Sequence, residues 1–282
     1  MSVHYSDITK GVNDLFTKDF PISTAKLEFK TVASNGVVFT VNGNQTPKYG
    51  IINSELKMQF NDYKNGLNIT NTLNTANVLG LKVELNNKIL DGLKVELNNR
   101  LTPSTNELSS QVTVSHKTHQ YHNRLFADLL NGPIFNADGV YIHNGYIFGG
   151  EAGYNLKTGF VSKYNATVGY ATPEYAVTIQ SNKTLNEFTV GFLHRTSLTT
   201  EAGARVHYNV QSEKPVGIEV GAKHIVDKST AIKAKIDTAG QLGLSLTHIL
   251  RPGVKAIVGT SVNTSKLSED AHKFGFSLTI EN

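Results

Sequence analysis

Apolar and polar residues alternate along most of this chain, and the alternation restricts its fold more than any other feature. The octapeptide GLKVELNN occupies residues 80–87 and returns at residues 92–99, after a link of four residues. In each copy three apolar side chains point to one side of an extended chain, while a lysine, a glutamate and an asparagine point to the other. A period of two is typical of a β-strand, so the two copies predict an antiparallel hairpin.

The same period recurs almost from end to end and predicts an all-β fold. Examples are Val37/Phe39/Val41, Leu56/Met58/Phe60, Tyr164/Ala166/Val168/Tyr170, Val216/Ile218/Val220/Ala222 and Phe274/Phe276/Leu278/Ile280. Short links such as Lys64-Asn65-Gly66 and Arg251-Pro252-Gly253 carry residues that favour turns. Residues 134–154 alternate poorly, and the pattern does not assign their faces.

The number of strands predicts where each face lies. A chain of 282 residues made almost wholly of strands must protect its sheet edges, and an up-and-down barrel removes them. So many strands enclose a space too wide for side chains to fill, so the interior is aqueous and the polar face points inward. The apolar face then lies in lipid, which predicts a transmembrane antiparallel β-barrel.

Composition agrees with a barrel and excludes other classes. The mean hydropathy is −0.22, and no apolar run approaches the roughly 18 residues of a membrane helix. Cysteine is absent, so disulfide and thiol chemistry are excluded. The first ten residues, MSVHYSDITK, have no apolar stretch of the secretory type, which argues against the precursor of a bacterial outer-membrane porin. No linker divides the chain, so a single domain is expected.

One N-terminal segment departs from the strand pattern. Residues 6–20, SDITKGVNDLFTKDF, place Ile8, Val12, Leu15 and Phe16 at helical spacing. This pattern predicts an amphipathic helix, preceded by a Ser or Asp cap. Packing on the outside of the fold and anchoring at a membrane surface are alternatives. We expect residues 1–22 to form a helical segment lying in the pore and residues 23–282 to form the barrel.

Four stretches give the chain a resemblance to the mitochondrial porins, the voltage-dependent anion channels of the outer mitochondrial membrane, and most of all to the fungal members. They are residues 6–20, residues 66–85 (GLNITNTLNTANVLGLKVEL), residues 224–254 (HIVDKSTAIKAKIDTAGQLGLSLTHILRPGV) and the end of the chain, residues 272–282 (HKFGFSLTIEN). In the third stretch Lys228 and Thr238 depart from the residue types usual in the family.

The resemblance implies nineteen strands, with the first and last parallel. It also implies a voltage-gated, weakly anion-selective channel that lets ions, ATP, ADP, phosphate and organic acids diffuse across the outer mitochondrial membrane. Neither a cofactor nor an enzymatic activity is implied. The expected partners are membrane lipids, anionic metabolites and nucleotides in the pore, and the outer-membrane insertion machinery. Self-association or association with the outer-membrane translocase is a further candidate interaction.

The alternation also predicts the charges of the pore wall. Twelve basic residues fall on the inner face, namely Lys26, Lys30, Lys57, Lys82, Lys94, Lys163, Arg205, Lys223, Lys233, Lys235, Lys255 and Lys273. Seven acidic residues share it, namely Glu28, Glu55, Glu84, Glu96, Glu201, Glu219 and Asp237. A basic excess raises the local concentration of anions. The candidate contacts for anions and nucleotides are Lys10, Lys18, Lys57, Lys82, Lys94, Lys223, Lys233, Lys235 and Lys255.

Two further interpretations rest on the resemblance. Lys273, Gly275, Leu278 and Ile280 fit the mitochondrial sorting signal for barrel insertion, although the same residues would also make an ordinary last strand. Asn71 stands on the apolar face where animal members commonly have a glutamate. Because an amide cannot ionise, regulation through that glutamate is not expected here.

Other motifs favour no second chemistry. The glycines of residues 149–153 lack the strand-turn-helix context of a dinucleotide loop and are interpreted as strand glycines. His116, His119 and His122 are spaced by three, so a strand would turn neighbouring members to opposite sides, and no metal site is predicted. The basic residues are dispersed among acidic ones, so nucleic acid is not an expected partner. The alternatives left open are a protein-translocation barrel of the outer mitochondrial membrane and a soluble barrel for small apolar ligands.

Overall fold

A computed structural model describes residues 3–45, 50–130, 134–211, 216–267 and 272–282. In these residues the chain forms a 3₁₀ turn, one α-helix and nineteen strands. The turn spans Tyr5–Asp7 and the helix, α1, spans Lys10–Thr17. The strands are β1 (Ala25–Val32), β2 (Val38–Gln45), β3 (Ile52–Asp62), β4 (Leu67–Asn74), β5 (Leu79–Asn86), β6 (Leu93–Thr102), β7 (Glu107–Lys117), β8 (Tyr121–Asp128), β9 (Ile134–His143), β10 (Tyr146–Asn155), β11 (Phe160–Ala171), β12 (Tyr175–Asn182), β13 (Glu187–Arg195), β14 (Thr200–Asn209), β15 (Gly217–Ile225), β16 (Thr230–Asp237), β17 (Gln241–Arg251), β18 (Val254–Asn263) and β19 (Lys273–Glu281).

The strands form one closed sheet. Each strand pairs antiparallel with its neighbours in sequence, from β1 through β19. β1 and β19 then pair in parallel, with Ala25 opposite Phe276 and Phe29 opposite Ile280. The predicted barrel and its parallel closure are therefore confirmed. In the described part of the chain, no helix has both the length and the apolar character needed to cross a membrane.

The two faces of the sheet differ as the alternation predicts. Large apolar side chains such as Leu27, Phe29 and Phe274 are exposed on the outer face, as lipid contact requires. Lysine, arginine, glutamate and small polar side chains occupy the inner face. The repeated octapeptide forms the hairpin of β5 and β6, and its register sets Glu84 directly opposite Glu96.

The helix is shorter than the sequence pattern indicates. The prediction of a helix over residues 6–20 is wrong at both ends, because the chain forms a 3₁₀ turn over Tyr5–Asp7 and α1 only over Lys10–Thr17. Lys18 is already extended, and Asp19 has a φ of 63°. The apolar stripe is confirmed, since Val12, Leu15 and Phe16 are buried.

The N-terminal segment lies inside the barrel and crosses the strands in order. His4 contacts β8, Ile8 contacts β10, Val12 contacts β13, Phe16 contacts β15, and Pro21 contacts β18 and β19. Eleven strand spacings of about 4.8 Å separate β8 from β19, which is more than about 50 Å along the sheet. The residues between His4 and Pro21, partly helical, reach about 45 Å at most. The segment is too short to follow the sheet itself over this distance. It therefore lies inside the barrel, where the path between the same strands is shorter, as predicted for a helix in the pore.

Candidate functional site

The start of the N-terminal segment packs on an apolar patch of the inner wall. Tyr5 and Ile8 are buried against Val140 of β9 and Ile147 of β10. The Tyr5 hydroxyl lies 3.1 Å from the Thr167 hydroxyl oxygen of β11. The inner face is apolar here because it is covered by the N-terminal segment. This is why residues 134–154 do not alternate cleanly in the sequence.

Helix α1 packs on a second inner patch. Val12, Leu15 and Phe16 surround Leu193 of β13, and all four side chains are at most 3% exposed. Leu193 points inward, because the opposite face of its strand carries apolar side chains exposed to lipid. A leucine on the polar face of a strand is a signal that sequence reasoning could have used to locate the helix.

Glycines on the inner face allow this close approach. A Cβ atom at Gly191 would lie 2.8 Å from Val12 Cγ1, and one at Gly203 would lie 2.9 Å from Leu15 Cδ2. Both distances are shorter than packed carbon atoms normally allow. Gly149, Gly221 and Gly259 stand equally close to Ile8, Phe16 and Pro21. These glycines therefore form a track of inward positions without side chains, along which the segment lies.

Two wall lysines bind the C-terminal end of α1. Lys233 Nζ donates hydrogen bonds to the carbonyl oxygens of Asp14 (3.1 Å) and Lys18 (3.0 Å), and Lys235 Nζ donates to that of Phe16 (2.7 Å). Carbonyl groups in the last turn of a helix lack internal donors and carry the negative end of the helix dipole. The two ammonium groups satisfy both needs and fasten the helix to β16.

Asp19 adds ion pairs just beyond the helix. Its carboxylate lies 3.2 Å from Lys233 Nζ and 3.5 Å from Lys255 Nζ, and its backbone carbonyl accepts a hydrogen bond from Ser245. Burial raises the pKa of this carboxyl, but the two lysines outweigh that effect and hold it below its ordinary value. This contribution to docking is therefore present above the ordinary Asp pKa and is lost as the pH falls below it.

Arg205 of β14 links the helix to a wall carboxylate. Its Nη1 donates to Asn13 Oδ1 (2.8 Å), and its Nε donates to Glu219 Oε2 (2.9 Å). The guanidinium carbon lies 5.1 Å from the centre of the Phe16 ring, within the range of a cation–π contact. Arg205 thus holds the exposed side of α1, while Leu193 supports its apolar side.

The repeated octapeptide forms a closed ring of charges on the pore wall. Lys82 pairs with Glu84 and lies 3.3 Å from Glu96, while Lys94 lies 3.1 Å from Glu84 and 2.5 Å from Glu96. Opposed like charges destabilise a sheet, and here each glutamate of the opposed pair contacts both lysines. The ring has no net charge, because the two glutamates neutralise the charges of Lys82 and Lys94.

The inner wall also contains groups that the alternation did not assign. Arg124 Nε donates to Asp138 Oδ2 at 2.7 Å. Glu151 accepts hydrogen bonds from Lys163 (2.7 Å) and from the Asn165 amide (2.6 Å). Asp138 and Glu151 belong to the stretch whose faces the alternation does not assign, and their negative charges are paired with Arg124 and Lys163.

The remaining predicted lysines differ in how strongly they are paired. Lys10 lies 3.7 Å from Asp7, and Lys223 lies 3.8 Å from Glu201. In the described part of the chain, no carboxylate lies within ion-pair distance of Lys18 or Lys57. Lys18 and Lys57 are therefore the best placed of the predicted cations to meet a dissolved anion. A role for the nine lysines in binding anions stays a prediction.

The residues of the expected sorting signal occupy both faces of β19. Lys273 and Gly275 point inward, while Leu278 and Ile280 stand on the outer face, level with Leu27 and Phe29 of β1. A Cβ atom at Gly275 would overlap the carbonyl oxygen of Pro21. Packing against Pro21 is therefore sufficient to require a glycine at this position, and the sorting role stays a prediction.

Three minor interpretations can be compared with the fold. Asn71 is exposed on the outer face, paired with Met58 on one side and Leu81 on the other, as predicted. The glycines of residues 149–153 lie within β10, so their interpretation as strand glycines is confirmed. In the described ranges, no three His, Asp or Glu side chains are grouped to hold a metal ion.

Comparison with known proteins agrees with this architecture. The family model of the eukaryotic porins matches residues 2–275. The mitochondrial outer membrane protein porin of Neurospora crassa is 36% identical over 279 residues, which covers 99% of this chain and 98% of that protein. The porin of the same name from Candida albicans is 38% identical, with 98% and 97% covered. The non-selective voltage-gated ion channel 1 of Saccharomyces cerevisiae is 32% identical, with 98% of each chain covered.

Among solved structures, a mutant of the Rh. blastica porin matches with a TM-score of 0.52 and 9% identity, over 86% of this chain and 98% of that one. At this identity the match concerns the fold alone. The family match and the fungal relatives span nearly the whole sequence, and the closed nineteen-strand barrel agrees with them. The chain belongs to the eukaryotic porin family.

Proposed function

We propose that the protein is a voltage-gated, weakly anion-selective channel of the outer mitochondrial membrane, through which ions and small metabolites diffuse passively. The observation that carries the proposal is the closed barrel with an apolar outside and a charged inside that the N-terminal segment only partly fills. Such a wall needs lipid outside and water inside. The fungal relatives are named for the mitochondrial outer membrane and for voltage-gated conduction, which supports both the location and the activity.

Weak selectivity follows from how the wall charges are distributed. The ring of Lys82, Glu84, Lys94 and Glu96 is neutral, and Lys233 and Lys235 are occupied with the helix. Water and salt screen the remaining charges within about 10 Å. An excess of basic residues then favours anions only modestly, and a nucleotide bound by one or two exposed lysines leaves readily. Lys18 and Lys57 are the positions that we propose for such transient contacts.

The helix is the element best placed to change conduction. It lies in the pore rather than within the sheet, so it can shift without breaking strand hydrogen bonds. A change in its docking would alter both the free cross-section and the charge of the wall. We also propose that the mitochondrial outer-membrane machinery inserts the barrel and that the barrel contacts membrane lipids. Self-association, or association with the translocase, is part of the same proposal. Among the residues that the structure describes, no feature of the wall favours a protein-translocation role.

The proposal is tested with purified protein refolded in detergent and inserted into a planar bilayer. Under a KCl gradient we expect large single-channel steps, closure at moderate voltage of either sign and a reversal potential that favours chloride. Charge reversal of Lys57 should move the reversal potential toward the cation side, with Lys183→Glu as the matched control because Lys183 lies in a turn next to Glu187. Absence of conductance from correctly folded barrels would contradict the proposal.

A further inference from the structure

Two histidines meet where the N-terminal segment first reaches the wall. His4 precedes the 3₁₀ turn, and His122 is the second residue of β8. Their ring centroids are 3.9 Å apart, and the ring planes are tilted by 42°. The His122 side chain is buried, with the residue 5% exposed, and the Nδ1 atoms of both rings are buried without a hydrogen-bond partner. The channel function makes no use of this contact.

The two carboxylates nearest the histidine pair each lie close to another basic side chain. Asp138 of β9 is engaged by Arg124 of β8, with N–O distances of 2.6 and 2.7 Å. Asp7 follows in the segment itself and lies 3.7 Å from Lys10. Lys94 of β6 and Lys117 of β7 also face the pair. An imidazolium formed here would thus stand against a second imidazole and close to three basic groups.

A shared metal ion does not fit this geometry. Bonds of about 2.0–2.1 Å from one ion to both rings would hold the centroids at least about 4.4 Å apart, even at a right angle. The observed 3.9 Å is shorter and corresponds to rings in contact. The pair is therefore a packed contact between two rings rather than two ligands around an empty position.

We propose that the contact between His4 and His122 is an acid-sensitive latch, which holds the start of the N-terminal segment against β8 while both rings are neutral and releases it when either ring is protonated. Charging one ring places a cation in a buried contact with the second ring, where neither Nδ1 atom has a hydrogen-bond partner. Release brings the ring into the water of the pore, where it can be protonated freely.

The direction of the pH effect follows from the pKa of His4. Burial, and then the charge of Arg124, lower the pKa of this imidazole in the docked segment. In the released segment the pKa returns to about 6.5. The latch is therefore at full strength above about pH 6.5 and weakens below it, by up to about tenfold per pH unit for each histidine with a lowered pKa. Helix α1 itself remains fastened by Lys233 and Lys235.

A spin label on Ser6 tests the latch without any measurement of conduction. Ser6 is exposed and the chain contains no cysteine, so Ser6→Cys gives a single labelling site in the full-length barrel. Urea is set to the concentration at which half of the label is mobile at pH 7.5. We expect the ratio of mobile to immobile label to rise, by up to about fivefold from His4 alone, when the pH is lowered from 6.5 to 5.5, a range in which carboxylates stay ionised.

The controls separate the two histidines from other effects of acid. The double variant His4→Phe/His122→Phe keeps two stacked rings that cannot be charged, and its ratio should not change with pH. His119→Phe alters an exposed histidine in the turn before β8 and should respond like the unmodified protein. An unchanged ratio in the unmodified protein, or an equal rise in the double variant, overturns the proposal.

A second measurement covers the case in which the double variant does not fold. The imidazole resonances of His4 and His122 in the unmodified barrel are followed by NMR between pH 8 and pH 4. The latch requires His4 to titrate below the ordinary histidine value and to lose its contact with His122 as it does so. Titration at the ordinary value, with the contact retained, overturns the proposal.

Discussion

The most specific prediction concerns the close approach of the helix to Gly191. A Cβ atom at this position would lie 2.8 Å and 3.2 Å from the two Cγ atoms of Val12, and 3.0 Å from Thr178 Oγ1. Inserting a methyl group into packed space costs about 1–3 kcal/mol. We therefore expect Gly191→Ala to lower the ratio of docked to released helix about 5- to 150-fold.

The assay follows a spin label on Thr17→Cys in detergent, at the urea concentration where half of the label is mobile. Thr17 is exposed at the end of α1, so the label reports release rather than causing it. The matched control is Gly150→Ala, because the nearest atom to a Cβ there lies 3.9 Å away and does not belong to the N-terminal segment. The control should behave like the unmodified barrel.

A second substitution tests whether Val12 is the residue that collides. Val12→Ala alone removes about 1.5 kcal/mol of apolar burial. The new methyl group of Gly191→Ala can then occupy the vacated space. We expect the double variant to be less destabilised than the sum of the two singles by at least about 1 kcal/mol. Additive effects, or a Gly191→Ala barrel that releases its helix like the control, would refute the assigned contact.

Three further substitutions have defined outcomes. Lys233→Gln should weaken docking of α1 by about 1–3 kcal/mol, because helix carbonyls and a carboxylate lose a buried donor. The spin label on Thr17→Cys measures this change, and an unchanged urea midpoint of label release argues against the lysine cap. The double variant Glu84→Gln/Glu96→Gln leaves two wall lysines unbalanced, so the reversal potential should move further toward chloride, more so in dilute salt; no movement would mean that the charge ring does not face the permeating ions. Gly275→Ala should refold poorly in detergent, where no insertion machinery is present, and deletion of residues 1–24, which removes the Pro21 and Thr24 carbonyl groups that the new methyl group would meet, should restore most of the yield; normal refolding of Gly275→Ala would refute this packing constraint.

Much of the fold could be predicted because one face of every strand meets lipid. That environment imposes strict alternation, and the alternation gives the strand faces, the turns and the orientation of residues such as Lys82 and Arg205. The odd number of strands and the parallel closure came from the family resemblance, because alternation does not count strands.

Prediction was weakest where the inner wall is covered by the N-terminal segment. Val140, Ile147 and Leu193 are apolar on an inward face, so they blur the pattern that identifies strands in contact with lipid and water. The apolar spacing predicts too long a helix because a 3₁₀ turn followed by a short helix buries the same residues. The alternation predicts the correct face for Lys233, but the hydrogen bonds of Lys233 to the helix depend on which segment lies opposite, and periodicity carries no information on that.

The most direct test of the account compares helix release and conduction in the same barrel. Single-channel currents are recorded for a double-cysteine variant, Gly11→Cys with Leu193→Cys, because a Cβ at Gly11 would face the Leu193 side chain at 3.6 Å. We expect the reduced barrel to conduct and to close with voltage, and the oxidised barrel to conduct with a changed voltage-dependent closure. A barrel without conductance in either state, or with identical closure in both, would contradict a charged channel whose N-terminal helix is the movable element.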